Sequence, residues 1–271
     1  MWSDGFDADV DPSVGSWLES SLVGSVGDVN SIAPDGYGAY VRIFHPAWAP
    51  NGEATRWSTV AAATGRTVHP LMQWDAISHA PPMATPSMPH WVGSAPEKGT
   101  MPPWVLLRVC RILAELDPDS GSSYCAFWDG WGQIAARATL QPRSTETGDL
   151  PRHAMGTTSS APNNVIGRRS RLRLKQRSYI VVSGLLESVS SALRRDEAGI
   201  SALERLTWLS PNLFWPADRQ WFVSCEVDMD STIVAGIPEL ADAFLADPDL
   251  EALEVGACDS LRHDADVLNT P

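Results

Sequence analysis

Glu226, Asp228 and Asp230 place three carboxylates at alternate positions of one short stretch. On a β-strand such residues share one face and lie roughly 6–7 Å apart, because a strand rises about 3.3 Å per residue. Carboxylate oxygens at this spacing suit Mg²⁺ or Ca²⁺ when another segment contributes ligands, and the same row offers negative charge to a cationic partner. A solvated outer face of a sheet, where charges prevent edge pairing, is the third interpretation.

The stretch that carries these carboxylates alternates in the manner of a half-buried strand. Its apolar side is predicted to hold the odd-numbered residues Trp221, Val223, Cys225, Val227 and Met229. A structural turn that includes Trp215 precedes the strand, and we expect Asp218 and Arg219 to hold this turn by capping and ion pairing. The sequence therefore predicts a central amphipathic strand with one buried face and one acidic face.

The four cysteines, Cys110, Cys125, Cys225 and Cys258, show no C-x-x-C pair and no regular spacing. This favours reduced, buried thiols. A Cys–His hydrolase needs a histidine beside a thiol, but Cys225 falls on the apolar side of its strand and Cys110 within a core helix, so we expect both to be inert. The chain also lacks H-E-x-x-H, G-x-S-x-G and Walker patterns. We therefore predict no catalytic residue and no cofactor, and an enzyme is the less favoured class.

Charge is distributed unevenly along the 271 residues, whose formal net charge is −13. Residues 210–271 hold thirteen Asp and Glu against two Arg, whereas residues 143–177 hold eight Arg and Lys against two acids. The acidic balance disfavours binding to duplex DNA or to an anionic membrane surface, since phosphate contacts need a basic footprint. It is compatible with a basic protein partner.

Residues 168–177 hold six cations and are the candidate region for nucleic-acid contact. Leu172 and Leu174 alternate with the cations, which predicts a strand with one charged face. Aromatic residues are not interleaved with the cations until Tyr179, although RNA and single-strand binders usually combine both. A solvated face that pairs with the acidic C-terminal third is the favoured interpretation, and an RNA-associated factor is an alternative.

The order of predicted elements indicates the fold class. Strands are expected at 37–44, 124–128, 171–183, 221–229 and 250–255, and helices at 13–23, 56–64, 104–116, 185–206 and 238–246. Interleaved helices and turn-bounded strands favour one α+β domain over 1–271, with helices packed on a mainly antiparallel sheet. Residues 141–168 are polar and predict a flexible or disordered insertion within it. Two domains divided at this insertion are the alternative.

Location and aromatic content give two further expectations. The N-terminus is acidic and has no secretory signal pattern, and no apolar run approaches the roughly 20 residues that span a bilayer. The sequence therefore predicts a cytoplasmic protein without a membrane span. Twelve tryptophans are expected mainly in the core and at its edges, and an aromatic-lined pocket for a sugar or base is the alternative.

Six sequence blocks lie at 37–46, 93–99, 129–132, 177–186, 210–221 and 226–236. They include Asp129-Gly-Trp-Gly132, the stretch from Ser210 to Arg219, and Glu226-Val-Asp-Met-Asp230. These blocks resemble those of a family of uncharacterised actinobacterial proteins. The resemblance covers most of the chain outside 141–168 and implies a cytoplasmic protein that folds as one unit. It implies no activity and no catalytic residues.

These observations favour a non-enzymatic protein that binds another protein, as an immunity or regulatory factor does when it masks a basic partner. The acidic C-terminal third and the missing catalytic patterns support this prediction. The alternative is a metal-assisted hydrolase that uses Glu226, Asp228 and Asp230. The oligomeric state is left open by the sequence.

Overall fold

The computed structural model describes residues 6–7, 9–79, 90–118, 121–131, 171–175, 177–186 and 209–269. The predicted insertion at 141–168 and most of the helix predicted at 185–206 lie outside these ranges. The described helices are a 3₁₀ turn (Pro12–Gly15), α1 (Leu18–Ser21), α2 (Val29–Ile32), α3 (Trp57–Thr64), α4 (Trp74–Ser78), α5 (Pro103–Leu116) and α6 (Pro238–Ala246).

Nine of the described strands form one antiparallel sheet. The described strands are β1 (Phe6–Asp7), β2 (Ala39–Phe44), β3 (Ala47–Trp48), β4 (Ala54–Thr55), β5 (Ser123–Trp128), β6 (Leu172–Leu174), β7 (Arg177–Gly184), β8 (Leu213–Pro216), β9 (Phe222–Ser224), β10 (Ser231–Gly236) and β11 (Ala252–Val255). The sheet order is β1-β7-β5-β8-β9-β10-β2-β11, with β6 also paired to β7, while β3 and β4 form a separate hairpin.

Strands from the two halves of the chain alternate within this sheet. For example, β5 lies between β7 and β8, and β2 lies between β10 and β11. The predicted α+β fold with a mainly antiparallel sheet is confirmed, and the strands do not divide into two groups at the long gap between 131 and 171.

Both faces of the sheet are covered. Helices α5 and α6 pack on one face through apolar residues such as Val105, Val109, Leu113 and Phe244. These α5 positions recur at intervals of four residues, so one stripe of the helix faces the core, as the sequence predicts. The other face is covered by the N-terminal segment, and a smaller cluster surrounds α3 and α4. Because both faces are covered, the residues on either face of β9 are buried.

The prediction of one strand over 221–229 is wrong. Only Phe222–Ser224 form β9, and residues 225–230 are the turn that connects it to β10. Phe222 is buried on one face of the sheet while Trp221 and Val223 are buried on the other, so the expected solvent face does not exist. The turn is closed by a hydrogen bond from the Met229 N–H to the Glu226 carbonyl at 2.9 Å. The alternation of acidic and apolar residues therefore belongs to a turn.

Two other predicted elements are shorter than expected. The region predicted as one strand at 171–183 contains β6 and β7, which pair with each other, and Lys175 between them has a left-handed φ of 43°. The helix predicted at 13–23 is a 3₁₀ turn followed by the single turn of α1. The helices predicted at 56–64, 104–116 and 238–246 agree with α3, α5 and α6 within one residue. In the described ranges, no helix has the length and apolar character needed to cross a membrane.

Candidate functional site

One end of the sheet gathers the acidic residues that the sequence singles out, together with residues from several other segments. The C-terminal end of β5, the start of β7, and the turn between β9 and β10 meet there, together with the loop before α5. We call this region the strand-end surface and define it as 96–100, 128–131, Arg177 and 225–230.

At the centre of the strand-end surface, Arg177 is held by an aromatic ring and two carboxylates. Its guanidinium carbon lies 5.3 Å from the centroid of the Trp128 ring, within the range of a cation–π contact. Its Nη2 atom lies 2.7 Å from Glu226 Oε1 and 2.5 Å from Asp228 Oδ2. We call Trp128, Glu226 and Asp228 the arginine cage.

The two carboxylates of the cage differ in exposure. The Glu226 side chain is 15% exposed and that of Asp228 is 81% exposed. Burial raises the pKa of Glu226, the positive charge of Arg177 counteracts this rise, and the negative charge of Asp228 adds to it. Asp228 is therefore the member of the cage that a partner in solution can reach directly.

Asp230 points to a different cation. Its Oδ1 atom lies 3.8 Å from Nη2 of Arg42, a residue of β2 that is fully buried. Burial raises the pKa of Asp230, and the charges of Arg42 and Lys98 oppose the rise. The predicted row of three carboxylates is thus divided into a pair at Arg177 and a single residue at Arg42. Within the described ranges, no three His, Cys, Asp or Glu side chains are grouped so that they hold a metal ion.

Arg42 is anchored by more than Asp230. Its Nε–H donates to the Ser231 hydroxyl at 2.9 Å, and its Nη1–H groups donate to the carbonyls of Pro70 and Met72 at 3.0 Å each. The guanidinium carbon also lies 4.5 Å from the centroid of the Phe44 ring. Burial lowers the pKa of Arg42 to about 10, which leaves it charged at neutral pH.

Asn212 connects the parts of the strand-end surface. Its Oδ1 atom accepts the backbone N–H of Trp128 at 2.9 Å and the indole N–H of Trp131 at 3.1 Å. Its Nδ2 atom donates to the carbonyls of Gly99 and Cys225 at 3.1 and 3.0 Å. The buried amide therefore fixes the end of β5, the loop before α5 and the start of the acidic turn relative to one another.

Cys225 lies beside a histidine, but neither group is set up for nucleophilic chemistry. Its Sγ atom is 4.0 Å from His45 Nε2, and both residues are fully buried. Burial raises the pKa of Cys225 to about 12 and lowers the pKa of His45 to about 4, so both groups are neutral. Nucleophilic cysteines need the opposite shift. The pair therefore belongs to the core, in agreement with the expected burial of Cys225.

The turn at Trp215, Asp218 and Arg219 lies at the opposite end of the sheet. The Asp218 carboxylate accepts the Gln220 N–H at 3.2 Å, which is the expected capping contact. Arg219 has a left-handed φ of 62° and its guanidinium lies 4.7 Å from the Trp17 ring centroid. This stacking replaces the expected ion pair with Asp218, since no such pair occurs among the described residues.

The sequence predicted Glu226 and Asp228 as members of a row of three carboxylates, but it did not predict the residues that bind them. Arg177 follows a run of alternating cations, and the expectation that this run pairs with the acidic C-terminal third holds for Arg177. The sequence contained a signal for the position of Arg42. This residue shares the parity of Tyr40 and Phe44 in its strand, and both of these aromatic residues are buried. For Asn212 the sequence contained no signal except its place between a proline and a strand.

The chain was compared with known proteins at three levels. No protein-family model, no curated protein and no solved structure matches it.

Proposed function

We propose that this protein is a non-enzymatic binding protein whose strand-end surface takes up an arginine of a basic protein partner. The observation that carries the proposal is the arginine cage. A tryptophan face and two carboxylates already hold the guanidinium of Arg177, which supports a site for a second guanidinium. Hydrogen bonds between ionised groups are stronger than neutral ones, and arginine side chains are frequent anchors of protein interfaces.

The distribution of charge supports a basic partner. Asp228 is the most exposed carboxylate of the cage, and other acids of the last third are also exposed. The attraction between these exposed negative charges and a basic partner acts over a long range. It therefore accelerates the encounter of the two proteins, and it weakens as salt is added. A partner arginine that enters the cage either shares Asp228 with Arg177 or displaces Arg177 from it.

The test is calorimetric titration with a nona-arginine peptide at low and physiological salt. We expect Asp228→Arg to weaken binding by about tenfold or more, because a hydrogen-bonded contact between charged groups contributes about 1.5–3 kcal/mol. The matched control is Asp242→Arg, which reverses an exposed charge of α6 outside the cage and is expected to have a much smaller effect. Arg177→Gln empties the cage and is expected to tighten binding several-fold.

Equal weakening by Asp228→Arg and Asp242→Arg would show that the peptide responds only to total charge and not to the cage. Weaker binding in Arg177→Gln would also contradict the proposal, since it would assign Arg177 to the interface as a direct contact. The metal-assisted hydrolase gains no support from the geometry, because Asp230 faces Arg42 while Glu226 and Asp228 pair with Arg177.

A further inference from the structure

A cleft of about 850 Å³ lies on the outer side of α5 and shares no residue with the strand-end surface. Its floor is a flank of α5 that runs from the exposed Trp104 to Glu115 and includes the buried Cys110, and its walls come from Phe44 and Pro46, from 54–56 and from 249–251. Small-molecule sites in proteins usually enclose about 300–1,000 Å³, so the cleft has room for a ligand of nucleotide size.

The carboxylates in the walls of the cleft are already occupied by other groups. The two oxygens of Glu251 accept the N–H groups of Trp57 and Ser58 at the start of α3, at 2.5 and 2.6 Å. Asp249 lies 3.7 Å from Arg108, which also donates to Asp247 at 2.5 Å. Glu251 therefore stabilises the wall of the cleft with both of its oxygens, whereas Asp249 is 63% exposed and holds Arg108 only loosely.

The guanidinium groups of the cleft are less occupied. Arg111 is exposed and has no hydrogen-bond or ion-pair partner in the part of the chain that the structure describes. Arg56 donates through Nη2 to the carbonyl of Pro248, a neutral acceptor, and keeps its other N–H groups. Glu115 and Asp249 are the acids of the described lining that are exposed, and Arg111 and Arg56 are the guanidinium groups available to an anion.

Trp104 supplies a flat apolar surface on the same side of α5 as Arg111. It is 40% exposed, and the other tryptophans that the structure describes are buried or of intermediate exposure. Residues seven positions apart on a helix are separated by about 10 Å along its axis, which is two turns. A ligand whose ring packs on Trp104 therefore places a group at its other end near Arg111.

We propose that this cleft binds a small aromatic oxyanion, with its ring against Trp104 and its carboxylate or phosphate on Arg111 and Arg56. The planar guanidinium matches both oxyanions with two parallel hydrogen bonds. Tryptophan packs well against aromatic rings, and the neighbouring Leu107, Phe44 and Pro46 extend the apolar wall.

The experiment is calorimetric titration of the full chain with adenosine monophosphate in one arm and 2-naphthoate in the other. Saturable one-to-one binding of either probe is expected, and the arm that binds assigns the oxyanion as phosphate or carboxylate. Arg111→Gln and Trp104→Ala are each expected to weaken binding by about tenfold. Arg173→Gln removes an exposed arginine of β6 and is expected to leave binding unchanged. The proposal is overturned if neither probe saturates, or if binding survives both cleft substitutions without change.

Discussion

At the level of single residues, two arginines determine what the acidic turn offers to solvent. Arg177 forms ion pairs with Glu226 and Asp228, and Arg42 faces Asp230. Only part of the negative charge in the turn is therefore available to a partner in solution. Removing one member of a buried ion pair commonly costs about 3–5 kcal/mol, because the other charge stays buried without a partner. The exposed Asp228 is thus the member of the turn that can be changed with the least effect on stability.

His45 is a second residue whose state follows from its surroundings. The Glu97 carbonyl accepts only, so Nδ1 carries the proton and donates to it at 2.9 Å. Nε2 then accepts from the Thr232 hydroxyl at 2.9 Å. Protonating Nε2 breaks this arrangement and places a charge in the core next to Arg42, and burial is the main reason for the lowered pKa of about 4.

We expect this histidine to make stability depend on pH. Between pH 6.5 and about 4 the unfolded chain binds a proton at His45 and the folded chain does not, so the free energy of unfolding falls as pH falls. A shift from 6.5 to about 4 corresponds to roughly 3 kcal/mol. Urea unfolding at several pH values measures the slope, and His45→Gln is expected to flatten it while lowering stability at pH 7. His263→Gln, at an exposed position, is the control, and an unchanged slope in His45→Gln would contradict the argument.

At the level of elements, the acidic turn is shaped by its contact with the loop before α5. Gly99 has a left-handed φ of 73°, and its N–H donates to the Met229 carbonyl at 2.9 Å. A Cβ atom at this position would lie 2.6 Å from the Val227 carbonyl oxygen. The backbone of the loop therefore packs directly on the backbone of the turn, which only glycine permits.

Gly99→Ala is expected to lower the free energy of unfolding by about 2–4 kcal/mol, since it combines a left-handed alanine with a backbone clash. Gly52→Ala is the matched control, because Gly52 has a φ of 84° but open space around it. That variant is expected to cost about 1 kcal/mol from the backbone conformation alone. Chemical denaturation of both variants measures the difference, and equal losses would show that the contact with the turn contributes nothing.

The elements also show why part of the fold was predictable from sequence. Helix α5 has one buried stripe and one solvated stripe, so its periodicity indicates both its type and its bounds. In β9 the residues on both faces are buried, including the polar Ser224. An alternation with a period of two locates a strand when one face is apolar and the other is polar. Because neither face of β9 meets water, the alternation in the sequence predicted a strand that continues into the turn.

The candidate site was less predictable than the fold. Glu226 and Asp228 were identified from their type and spacing, but Trp128 and Arg177 reach them only through the pairing of β5 with β7 and the position of β8. The Asn212 side chain bonds to residues that lie 84 and 113 positions away. Contacts over such separations are set by sheet order, which local patterns do not specify.

At the level of the whole molecule, the exposed negative charges of the last third are spread over several elements and are not concentrated in one site. Exposed acids of the last third occur on the strand-end turn, on α6 and on β11, namely Asp228, Glu239, Asp242 and Glu254. Such a field attracts cations in general, and the cage then selects among them through geometry.

Divalent cations test the chemistry of the whole acidic surface. We expect Mg²⁺, Mn²⁺ and Ca²⁺ to give no saturable heat and no rise in melting temperature, because Arg177 and Arg42 neutralise the carboxylates of the turn. Calorimetry and thermal unfolding in parallel measure this. A saturable rise that disappears in Asp228→Asn but persists in Asp242→Asn would instead support the metal-assisted hydrolase.

The place of β2 in the sheet has a consequence for how the protein is made. Both neighbours of β2, β10 and β11, are synthesised much later than β2 itself, and His45 and Thr232 at the end of the β2–β10 pair are 187 positions apart. At about 5–20 residues per second, the ribosome needs roughly 10 to 40 s to cover that separation. During this time both edges of an apolar strand lack their native partners. Nascent chains are therefore expected to depend on chaperones that shield β2 until translation has passed β11.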